Sequence, residues 1–451
     1  MQYEADVAED APDGQPLAGG GRFRALLNGR GVWALSDQAM LSLGNFFTNI
    51  LLIRHLSKEN FGNFAVLFSV ILFLNNLHTS LVTYPLSVLA AADDDSALRR
   101  RTFGSLGLTL LLAIPFSLVL APAVACVGGL TLVPWVIAAM VLWQIQETLR
   151  RTLMARLHHH RAILGDAVSY IGQALVVWLV IAQGTMSVPH AFGIIAATSA
   201  VAALIQAIQL KLFTPGCRRS SPTHLMSQNW SLGRWVLYSN LISLLTVYAT
   251  PWILRYFHGA GQVAEYVALS NLLGVTNPVL AGMSGLIVPA VAKAKAQHGM
   301  HAARSAAASY GLQGAALLLP YYLLLVTFPG VILRMFYGRS SQYLPLTTPL
   351  RLFVAIYALF YVAQMLAGLF NGLGESRYTF YAQLSAAISN SLIALPLAAA
   401  VGLLGALYGG VVPIILQLGL GLYFLRLLSH PKNSLADLHS PLPHGLAEGT
   451  S

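Results

Sequence analysis

Residues 49–69 read NILLIRHLSKENFGNFAVLFS, and residues 250–270 read TPWILRYFHGAGQVAEYVALS. Each stretch closes an apolar segment with an arginine (Arg54 or Arg255), crosses a short polar turn and enters a second apolar segment. The same pattern in both halves of the chain predicts two copies of one unit in the same order. Parallel repeats of this kind, related by an axis along the membrane normal, are typical of transporters that move one half against the other around a central site.

The composition around these two stretches is that of a membrane protein. Of 451 residues, 56% are hydrophobic and only 9% are Asp, Glu, Lys or Arg, whereas soluble domains carry roughly 25% charged residues. A membrane-spanning helix needs about 20 predominantly apolar residues. The sequence predicts twelve such segments, near 32–53, 61–90, 102–122, 124–146, 163–183, 191–213, 233–254, 263–290, 306–333, 346–370, 378–400 and 403–428.

The basic residues between these segments predict the orientation of the chain. The net charge is +10, and 20 of the 26 Lys and Arg residues fall on one side when the segments alternate across the bilayer. Loops rich in Lys and Arg stay in the cytoplasm. We therefore expect a multi-pass protein of the bacterial inner membrane with both termini in the cytoplasm.

The predicted fold class is an all-α polytopic membrane protein of about 12 transmembrane helices in two six-helix lobes. The lobes are expected at residues 31–213 and 233–428, joined by a cytoplasmic linker at 214–232. Residues 1–30 are polar and rich in Gly and Pro, which predicts a disordered cytoplasmic tail. Residues 429–451 are expected to form the second cytoplasmic tail.

Ionisable residues inside the spans are the first candidates for function, because a charge at mid-bilayer costs about 2.5–3.5 kcal/mol. Asp37, in the first segment, is the candidate for an ion-coupling site, although it is also near enough to the cytoplasm to be hydrated or paired with an arginine. His78 follows Asn75 and Asn76, and we interpret the three residues as a hydrogen-bonded packing cluster between helices. Polar residues and prolines elsewhere predict broken, cavity-lining spans. These are Pro115, Asn240, Pro251, Asn271, Asn277, Pro278, Asn390 and Pro396.

Three arginines at the outer ends of segments are the candidates for binding substrate: Arg54, Arg255 and Arg351. The planar guanidinium group suits a pyrophosphate or an acidic sugar. The alternative is that each side chain reaches toward lipid phosphates, and the repeated position of Arg54 and Arg255 favours that structural role for each of them singly.

Other charged runs predict no chemistry. Asp93, Asp94 and Asp95 precede a helix start, where N-capping explains them. The consecutive residues His158, His159 and His160 cannot all reach one metal from a helix. The sequence contains no P-loop, HExxH or hydrolase motif. We expect no catalytic residue, no metal site and no cofactor, and so the protein is not predicted to be an enzyme.

Two stretches resemble the bacterial polysaccharide and O-antigen flippases (Wzx-like) of the MATE-like MOP superfamily. They are WALSDQAMLSLGNFFTNILLIRHLSKENFGNFA at 33–65 and LFNGLGESRYTFYAQLSAAISNSLIALPLAAAVGLLGALYGG at 369–410. The resemblance implies two lobes around a central cavity and outward transport of undecaprenyl-pyrophosphate-linked oligosaccharide, coupled to H⁺ or Na⁺. Asp37 lies near a first-helix acid of some relatives. The implied partners are this substrate, membrane lipids and the polysaccharide polymerase machinery, with no nucleic acid.

Two other functions compete with this interpretation. A drug or cation antiporter of the same fold would bind cations through cavity acids, but Asp37 is the main intramembrane acid and the other candidates are basic. A membrane polymerase or ligase would need a large external loop, and the predicted outer loops are short. An anionic, lipid-linked sugar is therefore the expected substrate.

Overall fold

The computed structural model describes residues 30–90, 93–155, 159–213, 222–243 and 247–428. Every regular element within these ranges is a helix. The first half contains α1 (Arg30–His55), α2 (Lys58–Leu89), α3 (Asp95–Gly128), α4 (Val133–Ala155), α5 (159–182) and α6 (Val188–Gln209). The second half contains α7 (Pro222–Ser243), α8 (Ala249–His258), α9 (Ala260–Gly274), α10 (Asn277–Thr327), α11 (Pro329–Tyr337), α12 (Thr347–Gly372), α13 (Ser376–Val401) and α14 (Leu403–Leu427).

The predicted all-α membrane fold is confirmed. Within the described residues, nine helices are long and apolar enough to cross a membrane: α2, α3, α4, α5, α6, α10, α12, α13 and α14. Helices suit this environment because they satisfy every backbone hydrogen bond within one segment. The count of twelve spans stays a prediction. The expected linker at 214–232 lies outside the described residues up to position 221, and α7 begins at Pro222.

The helix α10 differs from the predicted segments. It runs for 51 residues and bends at Gly299, whose φ of 78° favours glycine. The sequence placed one span at 263–290 and the next at 306–333. The structure interrupts the first of these between α9 and α10, and it continues in helix through the stretch expected to be a loop.

In the part of the chain that the structure describes, three of the candidate spans contain a π-helical turn, a feature frequent at functional sites. The turns are Thr79–Thr83 in α2, Ala167–Gly172 in α5 and Asn390–Ala394 in α13. In α2 and α13 a proline, Pro85 or Pro396, opens the α-helix that follows, where its missing N–H is tolerated. Of the residues expected in broken spans, Asn390 and Pro396 coincide with an irregular helix, whereas Pro115 lies within the regular helix α3.

The two halves pack around one shared apolar core. In the first half α4 lies against α3 and α6; in the second, α12 lies against α10, and α14 packs against both α12 and α13. The halves meet where α2 lies along α9 and where α7 contacts the π turn of α2. We call this surface the seam. Phe61 of α2 and Leu269 of α9 are completely buried there, in a cluster that extends into both halves.

Candidate functional site

The second half encloses a cavity of about 450 Å³ between α12, α13 and α14, with residues of α8 and α9 on its wall. Part of the lining is amide side chains, from Gln364, Gln383, Asn390 and Gln417. Another part is aromatic, from Tyr266, Phe353, Tyr357, Phe360 and Phe380. Volume and mixed lining match those of sites that bind small organic groups.

The aromatic wall arises from the helical repeat of α12. Phe353, Tyr357 and Phe360 are spaced by four and three residues, so they share one face of the helix. The ring centroids of Phe353 and Tyr357 lie 5.4 Å apart in an edge-to-face arrangement. Tyr266 of α9 continues the row, 5.5 Å from Phe353. Such mutual packing fixes the rings in place before any ligand arrives.

The three glutamine side chains of the cavity are open to a ligand. Gln364, Gln383 and Gln417 form no hydrogen bond with any other residue that the structure describes. Asn390 is buried and begins the π turn of α13. Each amide offers both donors and an acceptor. Among the described residues that line the cavity there is no Asp, Glu, Lys or Arg, so the cavity is polar but neutral, whereas the sequence predicted a basic lumen.

The three candidate arginines lie outside this cavity. Arg54 donates from Nη2 to the carbonyl oxygen of Met335 at 2.8 Å. Arg351 donates from Nε to the carbonyl oxygen of Val326 at 2.9 Å. Both carbonyls belong to the last turns of helices, where oxygen atoms lack helical partners. Arg255 lines a separate groove, which lies between α2, α3 and α8. Substrate binding by these arginines stays a prediction.

The candidate for ion coupling, Asp37, lies on α1, but its side chain is outside the residues whose surroundings the structure describes. Ion coupling through Asp37 therefore stays a prediction.

A buried ionic cluster in the first half was missed by the sequence analysis. Arg150 donates to Asp166 at 2.8 Å and lies 3.4 Å from Glu147, while Arg151 donates to Glu147 at 2.6 Å. Asp166 is fully buried, Arg150 is 4% exposed and Glu147 is 7% exposed. The spacing of Glu147, Arg150 and Arg151 on one helix was the available signal; the contact of Arg150 with Asp166 needed the tertiary fold. These charges neutralise one another inside the bundle.

Two interpretations of polar residues are confirmed. His78 is fully buried, and its Nε2 lies 2.9 Å from the Thr109 hydroxyl and 3.4 Å from that of Thr148, which makes it a packing residue between helices. Asp94 caps α3 by accepting from the Ala97 amide at 2.6 Å. That hydrogen bond, helped by the Ser96 hydroxyl, holds the pKa of the Asp94 carboxyl below its usual range.

Hydrogen bonds also cross the seam. The amide of Asn240 on α7 donates to the hydroxyl of Ser80 at 2.8 Å. Asn76 of α2 donates to the Tyr248 hydroxyl at 2.6 Å, and the Trp252 indole donates to Ser69. An ion pair joins Lys58 of α2 to Glu265 of α9. Polar contacts of this kind hold helices together in a membrane, where the hydrophobic effect does not drive helix association.

These features define a class of protein: a polytopic membrane protein with a polar cavity inside a helical bundle. A family model described as "Polysaccharide biosynthesis protein" matches residues 32–295. Since this range is more than half of the chain, the protein belongs to that family. No curated protein sequence matches the chain.

The fold is similar to that of solved transporters. An inward-facing multidrug resistance MATE family transporter of the MOP superfamily is 14% identical with a TM-score of 0.66, covering 87% of this chain and 96% of its own. The lipid II flippase MurJ, in an inward closed conformation, is 12% identical with a TM-score of 0.67, covering 88% and 87%. A MOP superfamily transporter from Pyrococcus furiosus is 15% identical with a TM-score of 0.58, covering 92% and 100%.

The family and the fold agree with the resemblance noted from the sequence. Together they make this chain a multi-pass membrane protein of the polysaccharide biosynthesis family, with the fold of the solved transporters.

Proposed function

We propose that the protein moves undecaprenyl-pyrophosphate-linked oligosaccharide units outward across the inner membrane, for the synthesis of surface polysaccharide or exopolysaccharide. In this proposal both termini lie in the cytoplasm, and the two halves of the chain act as lobes that rock about the seam. The family supports a role in polysaccharide synthesis. The polymerase machinery would then receive the unit on the outer side.

The observation that carries this proposal is the neutral cavity of amides and aromatic rings. A sugar presents hydroxyl groups that both donate and accept hydrogen bonds, which the amides of Gln364, Gln383 and Gln417 match. Its C–H faces pack against flat apolar surfaces such as the rings of Phe353 and Tyr357. The proposed occupant is therefore the uncharged part of the oligosaccharide.

The second candidate is a MATE-type drug or cation antiporter, which the fold similarity to a multidrug transporter favours. A cationic drug is bound most strongly by a carboxylate in its site, because that contact pairs opposite charges. The described lining of the cavity offers none, and the carboxylates of Glu147 and Asp166 are already paired with arginines. The saccharide therefore fits the cavity better.

The proposal is tested in a strain that lacks this gene and any second flippase. Lipid-linked units should remain on the cytoplasmic leaflet, and Gly410→Leu should fail to restore their transport. Gly410 lines the cavity, and the Cβ of a new side chain there meets only Ile356, at 3.9 Å. The leucine would thus occupy ligand space, and we expect binding to weaken by about 10- to 100-fold, for an overpacking cost of about 1.4–3 kcal/mol.

The matched control is Gly419→Leu, on the same helix, where nothing lies within 4 Å of the added Cβ. It should restore transport fully. Normal surface polysaccharide in the deletion strain would refute the proposed function, and equal activity of both leucine variants would remove the cavity from it.

Asp37→Asn is predicted to abolish gradient-driven transport while the protein still folds. The substitution keeps the size of the side chain and removes the charge that a coupling ion would need. The measurement is flipping in proteoliposomes with and without an imposed H⁺ or Na⁺ gradient. Exchange of lipid-linked units in the absence of a gradient serves as the control for folding and should persist. Undiminished gradient-driven transport would exclude Asp37 from the mechanism.

A further inference from the structure

A second open space lies at the seam, apart from the cavity of the second half. It is a groove of about 510 Å³ between α2 and α3 of the first half and α8 of the second. Its apolar lining is Val66, Val70, Val119, Ala123 and Val127. The part on α3, from Val119 to Val127, extends about 12 Å at the helical rise of 1.5 Å per residue. This surface has the length and character to hold a short segment of a hydrocarbon chain.

One cation lines the groove. Arg255 belongs to the last turn of α8, and its Nε is buried without a hydrogen-bond partner among the residues that the structure describes. Arg54 and Arg351, the other two candidate arginines, donate to backbone carbonyls instead. A buried donor left without an acceptor costs about 1–3 kcal/mol. An oxygen atom of a ligand would remove that cost, most strongly if it carried a negative charge.

Aromatic residues beside Arg255 indicate the level of the groove in the membrane. Trp252 and Tyr256 line it, and Tyr256 is 82% exposed. Tyr and Trp are enriched where the headgroups of a membrane meet its hydrocarbon. A guanidinium at that level, next to an apolar wall, matches a lipid whose phosphate is at the interface and whose chain runs into the bilayer.

We infer that this groove, the Arg255 groove, binds the polyprenyl chain and the adjoining phosphate of the lipid-linked substrate. The inference rests on the proposed function and adds a place for the anionic lipid anchor. The neutral cavity suits the sugar but offers no cation for a pyrophosphate within its described lining. One groove with one guanidinium takes one chain and one phosphate, unlike a phospholipid with two chains. Its walls come from both halves, so movement at the seam would act on the anchor directly.

A cysteine in the groove can report whether the groove is occupied. Cys126 lines it and is a free, exposed thiol, and Cys217 is the second cysteine of the chain. In full-length Cys217→Ser protein in nanodiscs, we would measure the rate at which a maleimide modifies Cys126, with and without undecaprenyl phosphate. At a lipid concentration about ten times its Kd, modification should slow about tenfold, because only the unoccupied fraction reacts.

Arg255→Gln should shift this protection to about 10- to 100-fold higher lipid concentration, as expected for the loss of a charge-assisted contact. Arg334→Gln is the matched control, since Arg334 is also in the last turn of a helix but is exposed and outside the groove; it should leave protection unchanged. A second control moves the thiol to Leu118, which is exposed on α3 and outside the groove, as Leu118→Cys in a protein whose two native cysteines are replaced by serine. That thiol should not be protected.

Equal protection of Cys126 by phosphatidylglycerol would overturn the inference, because the groove would then hold ordinary membrane lipid. No protection by undecaprenyl phosphate, or protection that Arg255→Gln leaves intact, would overturn it as well. A flipping assay on the same protein distinguishes failure of the groove assignment from failure of the proposed function. If lipid-linked oligosaccharide is still flipped in these cases, the proposed function stands and only the groove assignment fails; absence of flipping counts against the function itself.

Discussion

Arg150→Met is expected to lower the free energy of unfolding by about 3–5 kcal/mol, the range for removing one partner of a buried ion pair. Arg150 is 4% exposed and lies 2.8 Å from the fully buried carboxylate of Asp166. Methionine fills similar space but removes the positive charge that Arg150 places against that carboxylate. The loss is measured by equilibrium unfolding in mixed micelles.

A second substitution distinguishes lost charge from lost packing. In the double variant Arg150→Met with Asp166→Leu, the unmatched charge is gone, and most of the lost stability should return. Arg151→Met is the matched control because Arg151 binds the other partner of Arg150, Glu147, but is 42% exposed. Its loss should be within about 1 kcal/mol, as for surface ion pairs. Equal losses for Arg150→Met and Arg151→Met would contradict the argument from burial.

The membrane fold was predictable because it depends on local composition. Long uncharged runs such as those of α12 and α14 specify spans regardless of their neighbours. Local chemistry also predicted the cap by Asp94 and the irregular helix at Asn390 and Pro396, since a proline alters the backbone wherever it stands. The long helix through Gly299 was not predicted, because its polar residues read as a loop between two spans.

The cavity was only partly predictable. Asn390 was identified as a polar residue in a broken span, and it does line the cavity. The glutamines Gln364, Gln383 and Gln417 come from three different helices, so nothing in the sequence shows that they converge. Each was nevertheless an uncharged polar residue inside an apolar span, which is a usable signal. The contact of Arg150 with Asp166 likewise depends on how α4 packs beside α5.

A single methyl group at Gly62 is predicted to separate the two halves at the seam. The Cβ of Gly62→Ala would lie 2.6 Å from the carbonyl carbon of Ala260 on α9, and closer still to its oxygen. Both partners are backbone atoms of packed helices, so neither can move aside alone. Small residues let helices approach this closely in membranes. We expect a stability loss of about 1–3 kcal/mol, typical of overpacking, and loss of transport because α2 and α9 can no longer close.

The neighbouring glycine provides the control. At Gly261 the nearest atoms to an added Cβ are in the Lys58 side chain, at 3.6 and 3.8 Å, so Gly261→Ala should change stability by no more than about 0.5 kcal/mol. Lys58 and Glu265 form an ion pair across the seam. Replacing both with cysteine gives a direct measure of the separation between α2 and α9. Cross-linking of this pair should be efficient in otherwise unchanged protein and in Gly261→Ala, and poor in Gly62→Ala. Efficient cross-linking and full transport in Gly62→Ala would show that α2 and α9 do not need this close contact, and the rocking of the two halves would then have to depend on other contacts of the seam.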